Sequence, residues 1–308
     1  MKVQRTALVA LVAMLAPISW GTTYVTVTEL LPDGRPLLVA WLRVVPAGVV
    51  LVAMGWWRSR WRPSRQEWRR LVLLAMCNFS VFFPLLIVAV FRLPGGVAAS
   101  VGGVQPLLVG VITWMVTGQA MRRLDVAIGI AAAVGVAMVV VRPGASIDAV
   151  GVAAALGANV SFSAGVVATK RLPNFPDRLA STGFQLMIAA AILAPVALLV
   201  EGPPPAISAV NAVGFAYLSL IATAAAFVVW FGGIHRLPTQ APPVLGLVAP
   251  LTGAALGWLL LNEDLTIIQI LGFATTIGAI SYAATLGSTE PTTASSPPVS
   301  IAEPEVSR

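Results

Sequence analysis

The chain has 308 residues, of which 58% are hydrophobic and only 10% charged, where soluble domains run about 25% charged. With a mean hydropathy of +0.90, this excludes an ordinary soluble enzyme and points to an all-α membrane protein. The net charge of +7 would suit nucleic acid, but its distribution along the chain points to the lipid bilayer instead, with no nucleic-acid partner. One cysteine, Cys77, and one histidine, His235, give no basis for an internal disulfide, a cysteine or histidine metal site, or a histidine-dependent triad.

Ten apolar segments follow in chain order, at 6–28, 36–57, 71–91, 95–116, 126–141, 150–169, 179–200, 209–234, 241–261 and 267–286. Each approaches the roughly 20 residues that cross a bilayer as a helix. The runs are continuous rather than alternating, which excludes barrel strands, and only helices or closed barrels satisfy their backbone in lipid. Lys2 and Arg5 ahead of the first run resemble the start of a signal peptide. The run exceeds a signal-peptide core and nine more follow, so a retained first helix is expected.

Basic residues set the orientation. With the amino terminus in the cytoplasm, the inside receives Lys2, Arg5, Arg58, Arg60, Arg62, Arg65, Arg69, Arg70, Arg122, Arg123, Lys170, Arg171, Arg178, Arg236 and Arg308. The outside receives only Arg35, Arg92 and Arg142, while Arg43 lies within a segment. This imbalance places both termini in the cytoplasm and explains the basic charge as anchorage to anionic lipid. Trp56, Trp57, Trp61 and Trp68 flank the most basic loop, as interfacial aromatics do. The tail, residues 287–308, is rich in Ser, Thr, Pro and Glu and reads as a disordered cytoplasmic segment.

The chain repeats itself across a short Pro/Gly-containing connection. Arg92-Leu93-Pro94 recurs as Arg236-Leu237-Pro238, and Pro106, Gln119, Gly129 and Gly135 recur as Pro250, Glu263, Gly272 and Gly278. Ser19-Trp20 pairs with Ser161-Phe162. Two repeats are expected, at 6–142 and 149–286, with five helices each. Five is odd, so the second copy enters the membrane from the opposite side, giving the inverted repeat on which many secondary transporters are built.

Ala89-Val90-Phe91-Arg92-Leu93-Pro94-Gly95-Gly96-Val97-Ala98-Ala99-Ser100, with Pro106 downstream, resembles the helix 3–4 region of the drug/metabolite transporter superfamily, EamA-type branch. So do Pro250 with Gly257-Trp258-Leu259-Leu260-Leu261-Asn262-Glu263, and then Leu265-Thr266 and Gly272. Trp20-Gly21-Thr22-Thr23 resembles the family's helix 1 signature and Arg43 its helix 2 arginine; Gln119 departs from the family's usual glutamate. The resemblance implies ten helices, a central cavity and export of small metabolites or drugs.

Intramembrane charge is costly and singles out Arg43. It could hold a substrate carboxylate. Alternatively, seven residues after Pro36, it could snorkel to the outer surface or pair with Glu29. Glu263 and Gln119 close the fourth helix of each repeat. A carboxylate or amide there suits capping of the next helix, while proton coupling is the rival role for Glu263. Pro106 and Pro250, at equivalent sites read as mid-helix, are hinge candidates. Trp20 and Tyr24 share a helix face. With Asn78, Gln105, Asn159, Gln185 and Tyr217 they are the candidate cavity residues, since polar groups in lipid must face the interior. Gln185 occupies the place of Arg43 in the second repeat. Cys77 is expected to be a buried small residue and His235 an interfacial one.

The function expected is secondary transport by alternating access, without catalytic residues, metal or cofactor, with a small-molecule substrate as partner. A lipophilic-cation exporter usually needs a central carboxylate, and mid-segment acids are absent. The expected cargo is therefore a neutral or zwitterionic metabolite such as an amino acid, with drug efflux the alternative. An intramembrane lipid-modifying enzyme would need acidic clusters or a nucleophile with its base. The expected location is a bacterial cytoplasmic membrane, and the copy number stays open between monomer and homodimer.

Overall fold

The computed structural model describes residues 2–93, 101–118, 121–140, 148–237, 241–261 and 266–289. Among these, every regular element is helical. The first half holds α1 (Lys2–Gly21), α2 (Thr23–Leu30), α3 (Pro36–Ser59), α4 (Arg65–Ala75), α5 (Phe82–Arg92), α6 (Gln105–Thr117) and α7 (Arg123–Val140). The second holds α8 (Ala149–Arg171), α9 (Arg178–Glu201), α10 (Ala209–Ala216), α11 (Ala226–Ile234), α12 (Ala241–Gly246), α13 (Val248–Leu261) and α14 (Ile267–Thr289). Among the described residues, six helical runs are long and apolar enough to cross a membrane: Leu8–Leu30, Pro36–Ser59, Arg65–Arg92, Ala149–Arg171, Arg178–Glu201 and Ala209–Ile234. Shorter apolar helices occur at Gln105–Thr117, Val126–Met138 and Ile267–Ala279.

The helix ends follow local chemistry. Pro36 begins α3, where its missing N–H costs nothing. Ser64 and Glu67 form a capping box at α4. Asp148 and Asp177 cap α8 and α9, accepting from the N–H groups of Gly151 at 2.8 Å and Ala180 at 3.0 Å. Gly118, at φ +71°, closes α6 in the left-handed conformation glycine favours. The first turn of α3 has no cap of its own. Instead the Glu201 carboxylate at the end of α9 accepts from the Leu37 and Leu38 N–H groups, both at 2.8 Å.

Several expected continuous segments are interrupted. The first breaks at Thr22, between α1 and α2. The third and eighth each contain a π-helical stretch, Met76–Ser80 between α4 and α5 and Tyr217–Ala225 between α10 and α11. Pro106 and Pro250 do not stand mid-helix. Pro106 is the second residue of α6 and Pro250 the third of α13, each just after a turn at 103–104 or 247. Proline is tolerated in a first turn, so these residues start helices rather than bend them.

The most extensive helix contacts all join one half to the other: α3 with α9, α7 with α14, α5 with α8, and α1 with α11 and α13. The α3–α9 contact is close because glycines face the partner backbone. A Cβ on Gly55 would lie 2.6 Å from the Ala180 Cβ, and one on Gly183 would lie 2.6 Å from the Val52 nitrogen. In lipid such packing, rather than exclusion of water, holds helices together. Leu8, Leu11, Leu15, Val111 and Met115 remain exposed, as a lipid-facing surface requires. The largest fully buried side chains include Trp230, Arg43, Phe79, Phe83 and Phe227.

Candidate functional site

Where α1 breaks, it packs against α13 so closely that a Cβ on Gly21 would fall 2.5 Å from the Ala249 carbonyl oxygen. Beside this crossing lies an internal cavity of about 100 Å³. A water needs about 10–15 Å³ by this measure, so the space suits several waters or one small solute. Trp20, Thr23 and Tyr24 line it from α1 and α2, Arg43 from α3, and Phe82, Phe83, Leu86 and Ala89 from α5. Gly102 and Gln105 add to it, with Ala155, Asn159 and Phe162 from α8, Phe227 from α11, Gly246 from α12, and Ala249 and Pro250 from α13.

Aromatic rings form much of the wall. The Trp20 ring lies 5.7 Å from Phe162, 4.9 Å from Phe227 and 5.1 Å from Trp230, and Phe82 stacks on Phe162 at 4.8 Å. Such pairs add about 0.5–1.5 kcal/mol each beyond the area they bury. The Trp20 indole N–H donates to the Ala222 carbonyl at 3.1 Å. That carbonyl belongs to the second π-helical stretch, a geometry that recurs at functional sites.

Arg43 neither snorkels nor pairs with Glu29, which is exposed. Its side chain is 1% exposed. Nε donates to Thr223 Oγ1 at 2.7 Å and Nη2 to the Ala222 carbonyl at 3.1 Å. The guanidinium carbon stands 4.3 Å from the centre of the Phe83 ring, a cation–π arrangement. The π-helical carbonyl and hydroxyl draw the charge inward. The lining contains no carboxylate among its described residues.

Of Arg43 and the seven candidate cavity residues, five thus share one space: Trp20, Tyr24, Arg43, Gln105 and Asn159. Pro250 also lines it, while Pro106 does not. Asn78 and Gln185 are buried elsewhere, with the Asn78 Nδ2 donating to Gln185 Oε1 at 3.3 Å. The Tyr217 hydroxyl pairs with Thr22 Oγ1 at 2.7 Å, bracing the break between α1 and α2. Gln119 and Glu263 lie outside the described residues. Cys77 is only half-buried, contrary to expectation.

A second, smaller cavity of about 30 Å³ is lined by Thr169, Asn174, Arg178, Gln185 and His235 among others. Burial first, then the positive charges of Arg178 and Lys170, pushes the His235 imidazole below its ordinary value. His235 therefore sits in a small recess beside Arg178. Sequence reading missed Thr23, Phe82, Phe83, Phe162 and Phe227 as lining residues, because isolated threonines and phenylalanines in apolar runs carry no mark of a cavity.

Known proteins bear on this arrangement. The EamA-like transporter family model matches residues 7–141 and again 149–285. Protein PecM of Dickeya dadantii is 34% identical over 262 residues, covering 84% of this chain and 86% of PecM. Uncharacterized transporter YwfM of Bacillus subtilis is 28% identical over 269 residues, covering 86% of this chain and 90% of YwfM. A protein named "Probable amino-acid metabolite efflux pump", from Escherichia coli, is 25% identical over 275 residues, covering 84% and 89% of the two chains. A solved crystal structure superposes with a TM-score of 0.74 at 22% identity, covering 92% of this chain and 98% of its own, a likeness of fold. With family matches in both halves of a helical chain carrying six membrane-length apolar runs, this integral membrane protein belongs to the EamA-like transporter family.

Proposed function

We propose that this protein is a secondary transporter that moves a small neutral or zwitterionic metabolite, of the amino-acid type, by alternating access. The observation that carries the reading is the cavity, which draws its wall from both halves and combines aromatic rings and amides without a described carboxylate. Aromatic faces suit the apolar part of such a cargo and amides its polar groups. A lipophilic cation would lack a counter-charge there. The name of the Escherichia coli relative favours the same class. In this reading the protein performs no catalysis and uses no cofactor.

The proposed architecture has ten transmembrane helices in two inverted repeats, residues 6–142 and 149–286, with 287–308 as a cytoplasmic tail. Pairing of the helices supports it. If each half contributes five helices, exchanging the halves carries the α5–α8 contact onto the α1–α11 contact, and α6–α8 onto α1–α13. The interruptions at 103–104 and 247 also correspond, as do the two π-helical stretches. The membrane would be a bacterial cytoplasmic membrane, export the direction, and both termini cytoplasmic. Pro106 and Pro250, following the two interruptions, are the proposed hinge positions, and Gln119 and Glu263 the proposed helix caps.

The test is counterflow of amino acids and related metabolites in proteoliposomes. Once a cargo is found, Trp20→Ala and Tyr24→Ala should weaken its binding on the order of tenfold, from the loss of an aromatic contact together with its buried area. Unchanged affinity in both variants, with normal thermal stability, removes α1 and α2 from the site. Glu263→Gln should retain transport and its pH dependence; loss of transport with normal expression would give Glu263 a titrating role instead.

A further inference from the structure

We propose that the cavity takes its cargo by a carboxylate group, for which Arg43 supplies the counter-charge and Gln105 and Thr23 further donors. This rests on the transporter reading above and narrows it: a neutral cargo without a carboxylate does not fit.

The argument starts from three buried donors. Arg43 Nη1, Gln105 Nε2 and Thr23 Oγ1 have no hydrogen-bond partner among the described residues, and all three side chains line the same cavity. Their residues are 1%, 7% and 3% exposed. A buried polar group without a partner is unfavourable, and a buried charge without an opposite charge far more so. Three such donors at one cavity are difficult to explain as packing, because threonine and glutamine are readily replaced by apolar residues of similar volume. A guanidinium with one N–H edge anchored and another unfilled is arranged to grip an anion from one side.

The charge count selects the anion. The cavity presents one fixed positive charge and no described carboxylate. A carboxylate pairs with it one to one, whereas a doubly charged phosphate would bring two negative charges to a single positive one. Thr223 and Ala222 fix the guanidinium from behind, through Nε and Nη2. Asn159 donates its Nδ2 to the Ala155 carbonyl at 2.8 Å, which leaves the side-chain oxygen as an acceptor for the ammonium of a zwitterion. Trp20 offers its ring to the apolar part. The three donor atoms are buried, so loading requires a small movement of the lining, of the kind a transport cycle provides.

The experiment measures thermal unfolding of the purified full chain in detergent against four probes: L-phenylalanine, phenylacetate, L-phenylalaninamide and phenethylamine. Ligands that bind the folded state raise its melting temperature. The acids should stabilise, and the amide and amine should bind at least about tenfold more weakly, equivalent to about 1.4 kcal/mol. Arg43→Gln should abolish the preference for acids and Arg43→Lys should keep it with weaker binding. Gln105→Glu, which adds a competing carboxylate, should abolish acid binding while leaving the fold intact. No stabilisation by either acid, equal stabilisation by acids and amide, or a preference that survives Arg43→Gln overturns the proposal. Binding is read here without transport. Acid-selective binding with no counterflow therefore strikes the transporter reading alone, while counterflow of amide and amine as fast as acids strikes the carboxylate site alone.

Discussion

At the scale of single residues, the orientation of Arg43 depends on what lies opposite it. The sequence places a charge seven residues into an apolar segment, from where a long side chain can reach either water or the interior. Thr223 and the Ala222 carbonyl decide the matter, and they come from a stretch 180 residues away that gives no sign of its π-helical form. Thr223→Val keeps the volume but leaves Nε unpaired. The expected loss is about 1.5–3 kcal/mol, the usual range for a bond to a charged group, measured by denaturant or thermal unfolding in detergent. A change within a few tenths would mean that the hydroxyl does not anchor the arginine. Gly21 is the opposite case, a residue chosen for what it lacks. With a Cβ falling 2.5 Å from a carbonyl oxygen, Gly21→Ala should force α1 away from α13 and cost about 1–3 kcal/mol, as overpacking does; a variant of wild-type stability would contradict the close crossing.

At the scale of elements, six of the ten expected segments were legible as membrane-length helices among the described residues, because twenty-residue hydrophobic runs have few alternatives in a membrane. Their interior breaks were not. The turns before Pro106 and Pro250 follow from proline, which disfavours helix just before it, but Thr22 and the two π-helical stretches carry no such mark, and a continuous apolar run looks the same with or without them. For the same reason the polar candidates Trp20, Arg43, Gln105 and Asn159 could be picked out as interior residues, whereas the phenylalanines beside them read as ordinary core. Helix ends were partly legible. Asp148 precedes an apolar run in the position of a cap and accepts from Gly151 at 2.8 Å. That hydrogen bond, more than the exposed ion pair with Arg92 at 3.1 Å, holds its carboxyl below the ordinary value of 3.8. A depressed carboxylate contributes stability that is present above the ordinary value and lost as the pH falls through the folded one. Asp148→Asn should therefore flatten the acid end of the stability profile while keeping α8 capped, as followed by thermal unfolding between neutral and acid pH. The cap that Glu201 supplies to α3 had no sequence signature, since donor and acceptor are more than 160 residues apart. Glu201→Ala strips two charge-assisted bonds and should cost about 1.5–3 kcal/mol or more, with Glu201→Gln intermediate.

At the scale of the whole molecule, the repeat was visible in recurring residues, but how the copies embrace was not. Reporter fusions after Pro63, Ala145, Asn174 and Arg308 test the proposed topology and should read inside, outside, inside and inside. An extracellular carboxyl terminus would overturn both the helix count and the inversion. The most extensive helix contacts all run between halves, which has a consequence for how the chain is made. As α3 enters the membrane its partner α9 lies some 140 residues further along, still untranslated. At ~5–20 residues per second, that is a wait of roughly 7–30 s in which the glycine face of α3 has only lipid beside it. The early helices must persist as separately inserted rods, open to quality-control proteases, until the second half arrives. A chain cut between 142 and 149 should then assemble when both pieces are synthesised in the same cell, and the amino-terminal piece made alone should be degraded. Accumulation of that lone piece as a stable, folded product would show that it finds its partners within itself.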